Sequence, residues 1–133
     1  AWIKQPDLQG RYSEGNLTHI WGTSTQSAWI LSDADYLYHF QGSTWDELPC
    51  PGSLRSGWGK RKAMFVVGNH GTIKMYDGTG DYDFVCPLHS VRSGTEETLL
   101  GIWGSSAGAI WAVGSTGVIL TYQSDAAGLR EQD

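Results

Sequence analysis

The sequence predicts an all-β fold made of three copies of one four-stranded unit within a single domain. Three observations predict it. An apolar stretch closes on a Trp-Gly pair three times, at Trp21-Gly22, Trp58-Gly59 and Trp103-Gly104. Each pair is followed by short runs of β-branched and aromatic residues that stop at small or turn-forming ones. The 133 residues include 18 glycines and 7 tryptophans and are only 17% charged, which is the composition of a turn-rich, aromatic β protein. That length suffices for one core and falls short of two ordinary domains.

Self-similarity sets the elements in order. The first strand is Leu17-Thr18-His19-Ile20-Trp21-Gly22, repeated as Leu54-Arg55-Ser56-Gly57-Trp58-Gly59 and as Leu99-Leu100-Gly101-Ile102-Trp103-Gly104. The second is Ala28-Trp29-Ile30-Leu31-Ser32, repeated from Met64 to Gly68 and from Ile110 to Gly114. The third, Tyr36-Leu37-Tyr38-His39-Phe40, recurs from Thr72 to Tyr76 and from Val118 to Tyr122 with the period-2 alternation of a strand. Between second and third strands lie Asp33-Ala34-Asp35, Asn69-His70-Gly71 and Ser115-Thr116-Gly117, residues that tolerate the positive φ of tight hairpins.

An outer strand follows in the first copy as Trp45-Asp46-Glu47-Leu48-Pro49. The third copy has no such run after Gln123, but Trp2-Ile3-Lys4-Gln5-Pro6 repeats it, Trp for Trp and Pro for Pro. The N-terminal segment is therefore expected to complete the last unit. The copies cover about 14–49, 50–98 and 99–123 plus 1–6, with a polar tail over 124–133. Trp21 to Trp58 is 37 residues and Trp58 to Trp103 is 45, so the segment from Cys86 to Thr98 is expected to be an inserted loop.

The series Ile-Trp-Gly-Ser-Ser, Ile-Trp-Ala-Val-Gly and Gly-Val-Ile-Leu-Thr-Tyr resembles the tandem β-propeller repeats of many large bacterial secreted and surface proteins. It is loosely similar to WD40, kelch and Asp-box repeats as well. The resemblance implies four-stranded blades around an axis and carries no catalytic residue. Propellers close with about four to eight blades, and three leave two open faces and unpaired edges. Two chains placed head to tail would make a six-bladed ring, so a homodimer is expected, with one N-terminal strand completing the partner's last sheet.

The net charge of −5 and the scattered Lys and Arg offer no footprint for nucleic acid. No apolar run approaches the roughly 20 residues that cross a bilayer, so no membrane partner is expected. The chain starts at Ala1. This is compatible with a removed signal peptide or a trimmed end, and the compartment stays open, leaning to secreted or cell-surface. Cys50 and Cys86 sit at the ends of outer strands in adjacent copies and are expected to be free thiols.

On a propeller layout the second-to-third turns and the entries to the first strands share one face near the axis. That face gathers His19, Asp33, Asp35, Arg55, Asn69 and His70, flanked by the stretches 8–16 and 86–98. Charged and amide groups beside aromatics suit a polyhydroxylated or charged small ligand. Trp58, with Trp21 and Trp103, offers a platform for a sugar ring, although a repeated Trp beside a repeated Gly more often packs one blade on the next. The polar columns do not repeat from copy to copy, which argues against one site per blade. Asp77 to Asp83 spaces carboxylates like a calcium loop, but Tyr82 and Leu88 stand where the motif requires Gly and an acid, and a lengthened hairpin explains the run better. The four histidines lack metal-ligand spacing, and there is no nucleophile elbow, P-loop or dinucleotide fingerprint. The expectation is a non-catalytic binding module without cofactor, a glycan being its foremost small ligand. The alternative is a structural or protein-interaction platform, with a hydrolase third.

Overall fold

The computed structural model describes residues 1–4, 15–24, 27–42, 44–60, 63–76, 86–105 and 108–123. It is all-β. The first sheet is β1 (Leu17–Ser24), β2 (Ser27–Ser32), β3 (Tyr36–Gln41) and β4 (Trp45–Pro49), antiparallel neighbours in that order. The second is β5 (Leu54–Lys60), β6 (Ala63–Gly68), β7 (Ile73–Tyr76) and β8 (His89–Val91). The third has three strands, β9 (Leu99–Gly104), β10 (Ala109–Gly114) and β11 (Ile119–Gln123). Two 3-10 turns, Asn69–Gly71 and Ser115–Gly117, join β6 to β7 and β10 to β11. Their central residues His70 and Thr116 hold φ of 56° and 57°, each followed by a left-handed glycine, the geometry that reverses a chain within two residues.

The three sheets share one register. Rows such as Trp21–Trp29–His39–Asp46 run straight across the first sheet, and Trp58–Phe65–Met75–His89 across the second. Each inner strand is interrupted near its start by a register shift, at Thr18, Arg55 and Leu100, the same column in every copy. Alternation then sends one set of side chains to each face. The innermost strands β1, β5 and β9 lie side by side.

The second sheet is covered on both sides, and its strand Met64-Phe65-Val66-Val67 is accordingly an unbroken apolar run. Toward the first sheet it packs Leu54, Met64, Val66 and Leu88 against Trp21, Trp29, Leu31, Leu37 and Leu48. Toward the third, Val67 meets Leu99 and Ala112 with Ile73, Ile102 and Leu120 around them. The Trp rings seat on glycines of the next inner strand. A Cβ on Gly57 would come 2.5 Å from Trp21 Cη2, and one on Gly104 2.5 Å from Trp58 Cη2, so no side chain fits at either place.

Three expectations are corrected or qualified. Cys50 and Cys86 are bonded as a disulfide, with Cα atoms 4.9 Å apart. Cys50 does not point to the rim: it turns into the layer between the first two sheets, and the run Cys86-Pro87-Leu88 enters the same layer beside it. The segment from Cys86 to Thr98 is not merely an inserted loop, because it holds β8, the outer strand of the second sheet; three residues without the Trp of the first copy left no pattern to recognise. Finally, Ala1–Lys4 form no strand, Trp2 is fully exposed, and the third sheet lacks a fourth strand among the described residues. Gln5 and Pro6, the rest of that expected strand, lie outside the described residues, as do the Asp77 to Asp83 run and the polar tail.

His39 is stacked flat on Trp29, ring centroids 3.7 Å apart, and its Nε2 lies 2.9 Å from the Ser27 hydroxyl. Burial holds its pKa below the ordinary 6.5, outweighing the charge of Asp46, which acts the other way. Below pH 6.5 the unfolded chain therefore binds protons more readily than the folded one, so stability is full above that pH and falls as pH drops through it. Thermal unfolding followed between pH 7.5 and 5 is expected to show a falling midpoint and His39→Phe a flatter one; equal slopes would exclude this histidine as the cause.

Candidate functional site

The polar residues singled out in the sequence fall into two groups, and nearly all are engaged within the fold. The β2–β3 turn is clamped by Asp33, whose Oδ1 accepts the backbone N–H of Asn16 at 2.8 Å and whose Oδ2 accepts its side-chain amide at 3.0 Å. Those hydrogen bonds hold the carboxyl below its usual pKa, the backbone one contributing most. Asp35, at φ 65°, accepts Ser53 N–H at 3.1 Å through Oδ1 and Cys50 N–H at 2.9 Å through its carbonyl. Ser53 in turn accepts the N–H of Asn69 at 3.3 Å, and Asn69 Oδ1 accepts Arg55 Nε at 2.6 Å. Asp35, Arg55, Asn69 and the exposed His70 are thus neighbours on one loop face, joined through Ser53. Asp33 is tied to Asn16 in the same turn.

His19 lies elsewhere. Its Nε2 is 3.1 Å from the Gly57 carbonyl and 3.4 Å from Ser56 Oγ, and that hydroxyl accepts the N–H of Ile102 at 3.2 Å. This polar chain crosses from β1 through β5 to β9 and ties the innermost strands together. Trp58 is half-buried with its indole against Gly104. Among the described residues, no group of three or more His, Cys, Asp or Glu is arranged to hold a metal ion.

Outside the polar set, the exposed feature is apolar and lies on the open faces that a row of three units was expected to leave. In the first copy Trp21, Trp29, Leu31 and Leu37 are 8, 4, 1 and 0% exposed; their counterparts in the third, Trp103, Trp111, Val113 and Ile119, are 61, 46, 47 and 64% exposed. These four share one face of the third sheet, since Trp111 pairs with Trp103 and Val113 with Ile119. At the other end, Leu17 and Ile20 are exposed on the open face of the first sheet, whereas the counterparts of Leu17, namely Leu54 and Leu99, are buried. The signal was available in the sequence, because the same columns are apolar in every copy and a row of identical layers must end somewhere.

No family model matches the chain, and none of the curated proteins matches it.

Proposed function

We propose that the three sheets are blades of a β-propeller and that the chain is a non-catalytic interaction module, completed to a six-bladed ring by a second copy of itself. One observation carries this reading: the third blade exposes the same four columns that the first blade buries against the second. The exposed Leu17 and Ile20 of the first blade present an opposing apolar face, and Gly22 stands in the column of Gly104, so the third blade of one chain can pack on the first blade of another as the second packs on the third, with Trp58 on Gly104. The alignment of β1, β5 and β9 side by side supports a common axis. A disulfide across the first layer suits an oxidising compartment.

This favours an interaction platform over a lectin. His19, Asp33, Asp35, Arg55 and Asn69 all hold turns or strands in place, and Trp58 supports the neighbouring blade.

Light scattering at micromolar concentration is expected to give twice the chain mass of 14.6 kDa, and Trp103→Glu with Val113→Glu to return it to the single mass. A wild-type protein that stays at 14.6 kDa would sink the ring. Binding on a glycan array that disappears with Arg55→Ala would restore the carbohydrate reading.

A further inference from the structure

We infer that Trp2 of a second copy of this chain inserts into the apolar cavity between the second and third blades, anchoring Trp2 to Lys4 as an added outer strand along β11. This rests on the ring reading and names the contact that latches it. The cavity measures about 110 Å³, and its walls include Phe65, Met75 and Val91 on one side and Ile110, Leu120 and Tyr122 on the other. Thr121, whose side chain belongs to the opposite face of β11, also lines it, so the cavity reaches the edge of the sheet that has no outer neighbour among the described residues.

The repeat register says which residue belongs there. In the first blade Trp45 pairs with Phe40, their rings 5.0 Å apart. The counterpart of Phe40 in the third blade is Tyr122, and the counterpart of Trp45 in the N-terminal segment is Trp2. The second blade supplies the precedent. One residue before the pair His89–Met75 stands Leu88, which by continuation of the register faces Tyr76, and Leu88 is buried in the layer between the first and second blades. The same position in the next layer is the cavity. Trp2 is an indole without packing in the single chain, and Tyr122, already 6.0 Å from Phe65, forms an aromatic wall for it.

Chain direction says why the occupant is a second copy. Within the chain an outer strand leads straight into the inner strand of the next blade: β4 into β5 through residues 50–53, and β8 into β9 through 92–98. Trp2 to Lys4 precede β1, so by the same step they complete the blade in front of the first one. That is the place where Leu17 and Ile20 are exposed and where the third blade of a second copy docks. The two-fold relation fills both cavities of the dimer at once. Strand addition supplies backbone hydrogen bonds, and the Trp in its pocket sets the register.

The test uses sedimentation velocity and cross-linking on the full chain. Trp2→Ala is expected to raise the dimer dissociation constant at least tenfold, with Trp2→Phe recovering most of the loss. Mixing an Ile3→Cys chain with a Thr121→Cys chain, residues that the register sets opposite each other, is expected to give a covalent heterodimer that reductant dissolves. A wild-type dimer whose dissociation constant is unchanged by Trp2→Ala overturns the inference and leaves the ring standing. A monomeric wild type overturns both. Cross-linking confined within single chains that carry both cysteines assigns the strand to its own chain and rejects the second copy.

Discussion

Reducing the Cys50–Cys86 bond is expected to lower the unfolding midpoint by roughly 10–15 °C. The bond closes a loop of 36 residues, and restricting the unfolded chain over that length contributes roughly 3–4 kcal/mol in the loop-entropy account. For a domain of this size, each kcal/mol moves the midpoint by about 3–4 °C. Reduction acts on the folded state as well. Cys50 is buried in the layer formed by Leu48, Leu54 and Leu88, and the strand that follows Cys86, β8, pairs with β7 over only three residues. Cys50→Ser combined with Cys86→Ser is expected to melt where the reduced wild type melts and to ignore added reductant. Amide exchange at His89–Val91 is expected to accelerate before that of β6. A midpoint that moves by less than about 2 °C on reduction would show that packing alone holds β8.

The second large effect is a contrast along one column. Trp21→Ala is expected to cost about 3–5 kcal/mol, because it removes a buried indole and leaves a void over Gly57 that the backbone cannot fill. Trp58→Ala falls below that, its ring being only half-buried over Gly104. Trp103→Ala is expected to cost less than about 0.5 kcal/mol at dilutions where the chain is single, since its ring is already in water. If chains associate as proposed, the same substitution is expected to weaken the proposed dimer by about 2 kcal/mol, near thirtyfold in dissociation constant, as for an aromatic anchor at the centre of an interface. Denaturant unfolding of the three variants, each at two protein concentrations, separates these outcomes. An equal cost for Trp103→Ala and Trp21→Ala in the dilute chain would mean that the third sheet is covered by something within its own fold.

Much of the local structure was legible. Trp45 to Pro49 forms β4, and the turns at Asp33, Asn69 and Ser115 fall where expected, with left-handed backbone at Asp35, His70–Gly71 and Thr116–Gly117. These features depend on a few adjacent residues, and repetition in three copies multiplies the signal. The outer strand β8 escaped notice because His89-Ser90-Val91 has neither length nor alternation, and it pairs because β7 already offers an edge. The roles of the polar residues were less legible still. Arg55 and Asn69 carry the same letters whether or not they meet, and only the structure shows the 2.6 Å contact between them.

The sequence by itself determined the β class, the register of the repeat and the columns that are apolar in every copy, because strand period and turn chemistry are written in neighbouring residues. Tertiary structure alone decided which of those columns are covered. Burial is a property of what lies opposite a face, and Trp21 and Trp103 occupy the same column yet differ because the second sheet stands over one and no described residue covers the other to the same degree. The disulfide belongs to the same class of fact: two cysteines 36 residues apart meet because Cys50 turns inward and Cys86 runs back into the same layer, a convergence that no local pattern records.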